Sequence, residues 1–180
     1  MISTEAAEMP LDEKDVDMAK VQALRKHMPL VKALDQWILT PDHDLLPRMR
    51  ELEKVVRHIY TLPRVMTLYR GFDLNSHQDS LGLKKLPHVG QNVHFESDSK
   101  PLSFSTEIDI ARAFGGVVLS AQFDTRKTSM LYITDELSYL VSELRNLDLR
   151  TQKEVVILPP SKFDATVVQA KSSPFSWLGW

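Results

Sequence analysis

The run Thr151-Gln152-Lys153-Glu154-Val155-Val156-Ile157-Leu158-Pro159-Pro160 constrains the fold more than any other stretch. Polar and charged residues lead into four apolar ones, three of them β-branched, and two prolines stop the run. Composition and punctuation both predict a strand. Side chains alternate along a strand, so Gln152 and Glu154 are expected on one face and Lys153 on the other. An amide and a carboxylate then stand side by side where a buried strand begins. Taken alone, such a pair is an ordinary solvated strand end, because short motifs match by chance.

The chain has 180 residues. That is enough for one substantial core, and a single domain is expected. The net charge of −2 argues against a large electrostatic footprint for nucleic acid, although a small basic groove would suffice for local contact. No cysteine is present, so there is no disulfide framework, thiol nucleophile or cysteine-based zinc site, which fits a reducing compartment. Residues 1–10 read as a flexible amino terminus without the apolar segment of a secretory signal, and no run approaches transmembrane length. Residues 171–180 form a tail with Phe175, Trp177 and Trp180. It either folds back over the core or docks on a partner.

Residues 11–62 read as a helical layer. Leu11 to His27 is rich in helix formers and is ended by Pro29; Leu30 to Leu39 is a second helix. A third starts at Thr40-Pro41 or at Pro47, and Met49, Leu52, Val55, Val56 and Ile59 give it an apolar face to about Tyr60. Its charges, Arg48, Arg50, Glu51, Glu53, Lys54 and Arg57, read as a solvated surface. Strands dominate residues 63–170: Val65–Arg70, Asn92–Glu96, Pro101–Thr106, Val117–Phe123, Met130–Ile133, the opening run and Phe163–Gln169. Short helices are expected near Asp79–Leu83, at Glu107–Phe114 and after a Thr134 cap, with Leu137, Leu140, Val141 and Leu144 inward. The fold class is α+β with a mostly antiparallel sheet, one domain spanning 11–170.

The common chemical templates are absent: no GxxxxGK[ST], GxGxxG or GxSxG, and six scattered histidines without metal-ligand spacing. Three stretches remain, in this order. Leu68-Tyr69-Arg70-Gly71 closes a strand. Ser103-Phe104-Ser105-Thr106-Glu107 enters a helix carrying Ala111 and Phe114. Gln152-Lys153-Glu154 enters the strand followed by Pro159-Pro160-Ser161-Lys162-Phe163.

Together they resemble the mono-ADP-ribosyltransferases of the arginine–serine–glutamate class, with a Gln-x-Glu motif, over roughly Val65 to Gln169. Glu107 stands where that family often has a second serine, and Ser161 where its turn usually has glycine. The resemblance implies a helical layer packed on a split β-sandwich and an enzyme that uses NAD as co-substrate without a metal. It implies that Glu154 stabilises the positive charge growing on the ribose. Arg70, with Tyr69 and Gly71 beside it, would contact the diphosphate region. Ser105 would hold Glu154, and Thr106 would order the nearby backbone. Phe114 either shapes the nicotinamide pocket or belongs to the helix–sheet core.

Gln152 would orient the acceptor, and an amide suits Asn or another non-arginine acceptor better than a guanidinium. Arg145, Asn146 and Arg150, in the loop before it, are candidates for target contact. The expected function is transfer of ADP-ribose to a protein side chain with release of nicotinamide, in a cytoplasmic toxin or phage effector that inactivates host or competitor machinery. NAD hydrolysis, nucleic-acid modification and a non-catalytic binding inhibitor are the alternatives. A monomer without membrane partners is expected.

Overall fold

The computed structural model describes residues 16–40, 42–74, 83, 85–145 and 153–171. Three helices come first: α1 (Met18–Arg25), α2 (Met28–Leu39) and α3 (Leu46–Ile59), with a 3-10 turn at His43–Leu45 before the third. There follow β1 (Val65–Phe72), β2 (Asn92–Ser97), β3 (Leu102–Ser105), α4 (Ile108–Ala113), β4 (Val117–Asp124), β5 (Met130–Tyr132), α5 (Asp135–Arg145), β6 (Glu154–Ile157) and β7 (Ser161–Ala170). The strands form one sheet in the order β2-β7-β4-β1-β3-β6-β5, antiparallel at every neighbouring pair. The fold class is therefore α+β, as the sequence predicts.

Capping sets the helix limits. Of the helix expected over Leu11 to His27, residues 11–15 lie outside the described residues, and α1 starts at Met18, where the Asp17 carboxylate caps it by accepting from the Ala19 and Lys20 amides. Pro29 does not end that helix but sits in the first turn of α2, where its missing N–H costs nothing. Pro47 plays the same part in α3, and Thr40 closes α2. Thr134 caps α5 through a 3.2 Å bond from the Leu137 amide. The expected helix near Asp79–Leu83 lies, but for Leu83, outside the described residues.

The sheet is folded on itself. Eight residue pairs join β1 to β4, whereas β1 and β3 share one, Tyr69 opposite Ser105. Phe104 of β3 stands three strand spacings from Phe163 of β7, which in a flat sheet is about 14 Å. Their ring centroids are 5.6 Å apart, and Phe104 also meets Phe123 of β4 edge-on at 5.4 Å. The four-stranded leaf β2-β7-β4-β1 thus faces the three-stranded leaf β3-β6-β5 across a core that includes Leu68, Phe72, Phe95, Phe104, Val155, Ile157 and Phe163. Helices α1, α2, α3 and α5 cover the other side of the three-stranded leaf, where Val31, Leu34, Leu52, Val56, Leu137 and Leu140 pack with Leu131, Val156 and Leu158. The β6 run is continuously apolar for this reason: Val155 and Ile157 face one core, Val156 and Leu158 the other.

The charges of α3 are not simply solvated. Glu53 is buried: its carboxylate accepts from Arg57 Nε (2.9 Å), Ser129 Oγ (2.6 Å) and the Met130 amide (2.9 Å). Arg57 donates to the carbonyls of Thr125 and Thr128, and Arg50 to that of Pro159. These side chains satisfy backbone groups where the three-stranded leaf meets its loops, work that the apolar face of α3 cannot do. On the same interface Tyr60 donates to Glu136 at 2.5 Å, and burial with this bond pushes the Tyr60 hydroxyl far above its ordinary range. Among the described residues no helix is long and apolar enough to cross a membrane.

Candidate functional site

The two leaves part at the single β1–β3 pair, and four of the sequence-predicted residues, Tyr69, Arg70, Ser105 and Glu154, gather there. Tyr69 lies opposite Ser105, which lies opposite Glu154, so β1, β3 and β6 set three site positions in one row. Paired residues of an antiparallel ladder project to one face. Beyond that row the β1–β3 ladder stops. Arg70 continues the link with its side chain, donating from Nη1 to the Ser103 carbonyl at 2.6 Å.

Glu154 is partly buried, and burial pushes its carboxyl above the ordinary carboxylate value. A hydrogen bond from the Ser103 hydroxyl and the positive charge of Arg70 pull it back toward ionisation. Arg70, Ser103 and Glu154, from three distant segments, are therefore one electrostatic unit. Ser103 is a hydroxyl partner of Glu154 that sequence reasoning did not name. Its signal was present: it stands two positions from Ser105 and so shares its strand face. Ser105 itself is buried directly across from Glu154, and its Oγ accepts the Glu107 amide at 3.1 Å. The Thr106 amide donates to the Lys153 carbonyl at 3.1 Å, tying the end of β3 to the residue before Glu154.

Gly71 fixes the wall beside Arg70. A Cβ there would lie 1.7 Å from the Ala111 carbonyl oxygen, so only glycine lets α4 approach β1. Phe114, at the carboxyl end of α4, is 64% exposed. It is not a core residue, which removes one of its two readings.

Lys153 departs from expectation. Its φ is +46°, a left-handed conformation rare outside glycine, and β6 begins only at Glu154. The expected alternation therefore does not hold at Lys153, and Gln152 lies outside the described residues. Lys153 Nζ pairs with both carboxylate oxygens of Asp135, at 2.9 and 3.2 Å, which raises its pKa. Gln152, Asn146 and Arg150 lie outside the described residues, as does the aromatic tail after Lys171. Arg145 turns inward and binds the carboxylate and carbonyl of Asp35, joining α5 to α2.

The arrangement offers a carboxylate at a seam between two leaves, with a guanidinium and a hydroxyl on it and an exposed aromatic on the adjoining helix. Such a set can accept a hydrogen bond from a ligand hydroxyl and stabilise nearby positive charge. Among the described residues no three His, Cys, Asp or Glu side chains are grouped to hold a metal. Comparison with family models, curated proteins and solved structures found no match to this chain.

Proposed function

We propose that the chain is an NAD-dependent mono-ADP-ribosyltransferase acting on a protein side chain, its folded sheet a split sandwich of that enzyme type. The observation that carries the reading is the meeting of Arg70, Ser103, Ser105 and Glu154 at the seam, from segments about 30 and 50 residues apart along the chain. A seam between two sheet leaves suits an extended dinucleotide, and the Arg70 fork suits its diphosphate oxygens.

The bond that breaks joins the ribose C1′ to the nicotinamide nitrogen, and its electron pair leaves with nicotinamide. The sugar becomes positively charged as the bond lengthens. Glu154, ionised and hydrogen-bonded to the ribose 2′-hydroxyl, stabilises that charge more than it stabilises the ground state. An acceptor lone pair then closes the new bond to C1′, and the acceptor releases its proton. Ser103 and Arg70 favour the ionised form against the burial that favours the neutral acid. A protein target in the cytoplasm of a host or competitor cell is the setting in which such an enzyme inhibits.

The test is incubation of purified protein with NAD labelled on its adenylate in cell lysate. A labelled protein band supports transfer. Label released only as free ADP-ribose makes the protein an NAD hydrolase, and intact NAD removes the enzyme reading. Glu154→Ala is expected to lower the turnover about a hundredfold or more while leaving the circular dichroism spectrum unchanged. Unchanged turnover would take Glu154 out of the chemistry.

A further inference from the structure

We infer that Asp135 is a positioning residue for Glu154, acting through Lys153, an assignment that rests on the enzymatic reading of the seam. Strand β6 starts at Glu154, and the direction in which its first side chain leaves the backbone depends on the conformation of the residue before it. That residue is a lysine at φ +46°, where a side chain is strained. Nothing in a lysine favours this conformation, so its surroundings must impose it. Two contacts do so. The Lys153 carbonyl accepts the Thr106 amide at 3.1 Å, which fixes the peptide to the end of β3. The Lys153 ammonium is drawn to the first turn of α5 by both oxygens of Asp135. On the far side the Glu154 carbonyl is taken by the Ile133 amide at 3.0 Å. The peptides on either side of the Glu154 side chain and the Lys153 ammonium before it are thus each held, and the carboxyl bonds Ser103 within the field of Arg70 as a consequence. Asp135 and Lys153 are both partly exposed, and an exposed pair is a weak restraint. The expected effect is therefore a fewfold loss and not an abolition.

The experiment is a double-mutant cycle on Asp135→Asn and Lys153→Asn, because asparagine adopts the left-handed region more readily than lysine and needs no ion pair to stay there. In the wild-type background Asp135→Asn is expected to lower kcat for NAD cleavage about three- to fivefold, with KM within twofold. In the Lys153→Asn background the same change is expected to have no effect. Lys153→Val, β-branched at a positive φ, is expected to lose about tenfold or more. A second readout does not require turnover: the Glu154 carboxyl, titrated by NMR, should move further above its ordinary value in Asp135→Asn, as the Ser103 bond and the Arg70 charge that pull it down are loosened, and stay put when Lys153→Asn is also present. Wild-type kcat in Asp135→Asn, or an equal loss in both backgrounds, overturns the assignment. Absent cleavage by the wild type, with the titration cycle as expected, fails the enzymatic reading and leaves the positioning role standing. A titration indifferent to Asp135 fails the positioning role whatever the turnover.

Discussion

Burial pushes the Glu154 carboxyl upward while Ser103 and Arg70 pull it down, and burial prevails. The native state then holds this proton more tightly than the unfolded chain does. Stability from this residue is fully present below the ordinary value of 4.5 and is lost as pH rises through the higher folded value. An ionised Glu154 is thus a cost to the fold at neutral pH. Glu154→Gln keeps the size and removes the charge. Its melting temperature, relative to wild type, is expected to rise between pH 4 and pH 7. A gap that is constant over that range would mean that the carboxyl is not perturbed by the fold.

Lysine 153 shows why parts of this site could not be read from sequence. Glycine and asparagine announce positive φ; lysine does not, and here the conformation comes from Asp135 and Thr106, both distant along the chain. Ser103 and Ser105 share a strand face, so sequence could place a hydroxyl near Glu154 without showing that Ser103 bonds to it. Arg70, Glu154 and the serine strand were legible because each ends or begins an element whose apolar pattern is strong.

At the scale of elements, α4 and β1 are locked by a backbone contact. The Ala111 carbonyl occupies the space of a Gly71 Cβ, and a Cβ on Gly115 would lie 2.2 Å from the Phe72 carbonyl. Gly71→Ala must push the helix away, because a carbonyl cannot rotate aside as a side chain can. It is expected to cost about 3 kcal/mol by denaturant titration. Gly90 is the control: its φ is +87° with nothing near its Cβ position, so Gly90→Ala carries backbone strain alone, about 1 kcal/mol. Equal costs would deny the α4 contact. The elements themselves were legible where a face is simply apolar, as in β2 and β7 with their alternating burial, or doubly buried, as in β6. Glu53 was not legible. A helical pattern identifies a polar side chain but not the Met130 amide and Ser129 hydroxyl that a remote strand brings to it.

For the whole molecule, the fold hinges on how two leaves joined by one ladder pair stay closed. Backbone pairing between β1 and β3 is too short to set their angle, so the inter-leaf core must do it. Phe104 stands at the centre, on the three-stranded leaf, with its ring against Phe123 and Phe163 of the other. Phe104→Ala leaves a cavity at that contact and is expected to cost about 3–5 kcal/mol. The loss should also reach the seam, because Phe104 lies between Ser103 and Ser105 on the strand that carries the Glu154 contacts. Amide exchange is expected to quicken at Ser105 and Thr106 more than across the eight-pair β1–β4 ladder. Uniform acceleration over both ladders would mean that the leaves unfold as one unit and that the seam is no weaker than the rest of the sheet. Protected seam amides in a destabilised variant would show that the β1–β3 pair and the Arg70 bond suffice to hold the leaves together without the aromatic core.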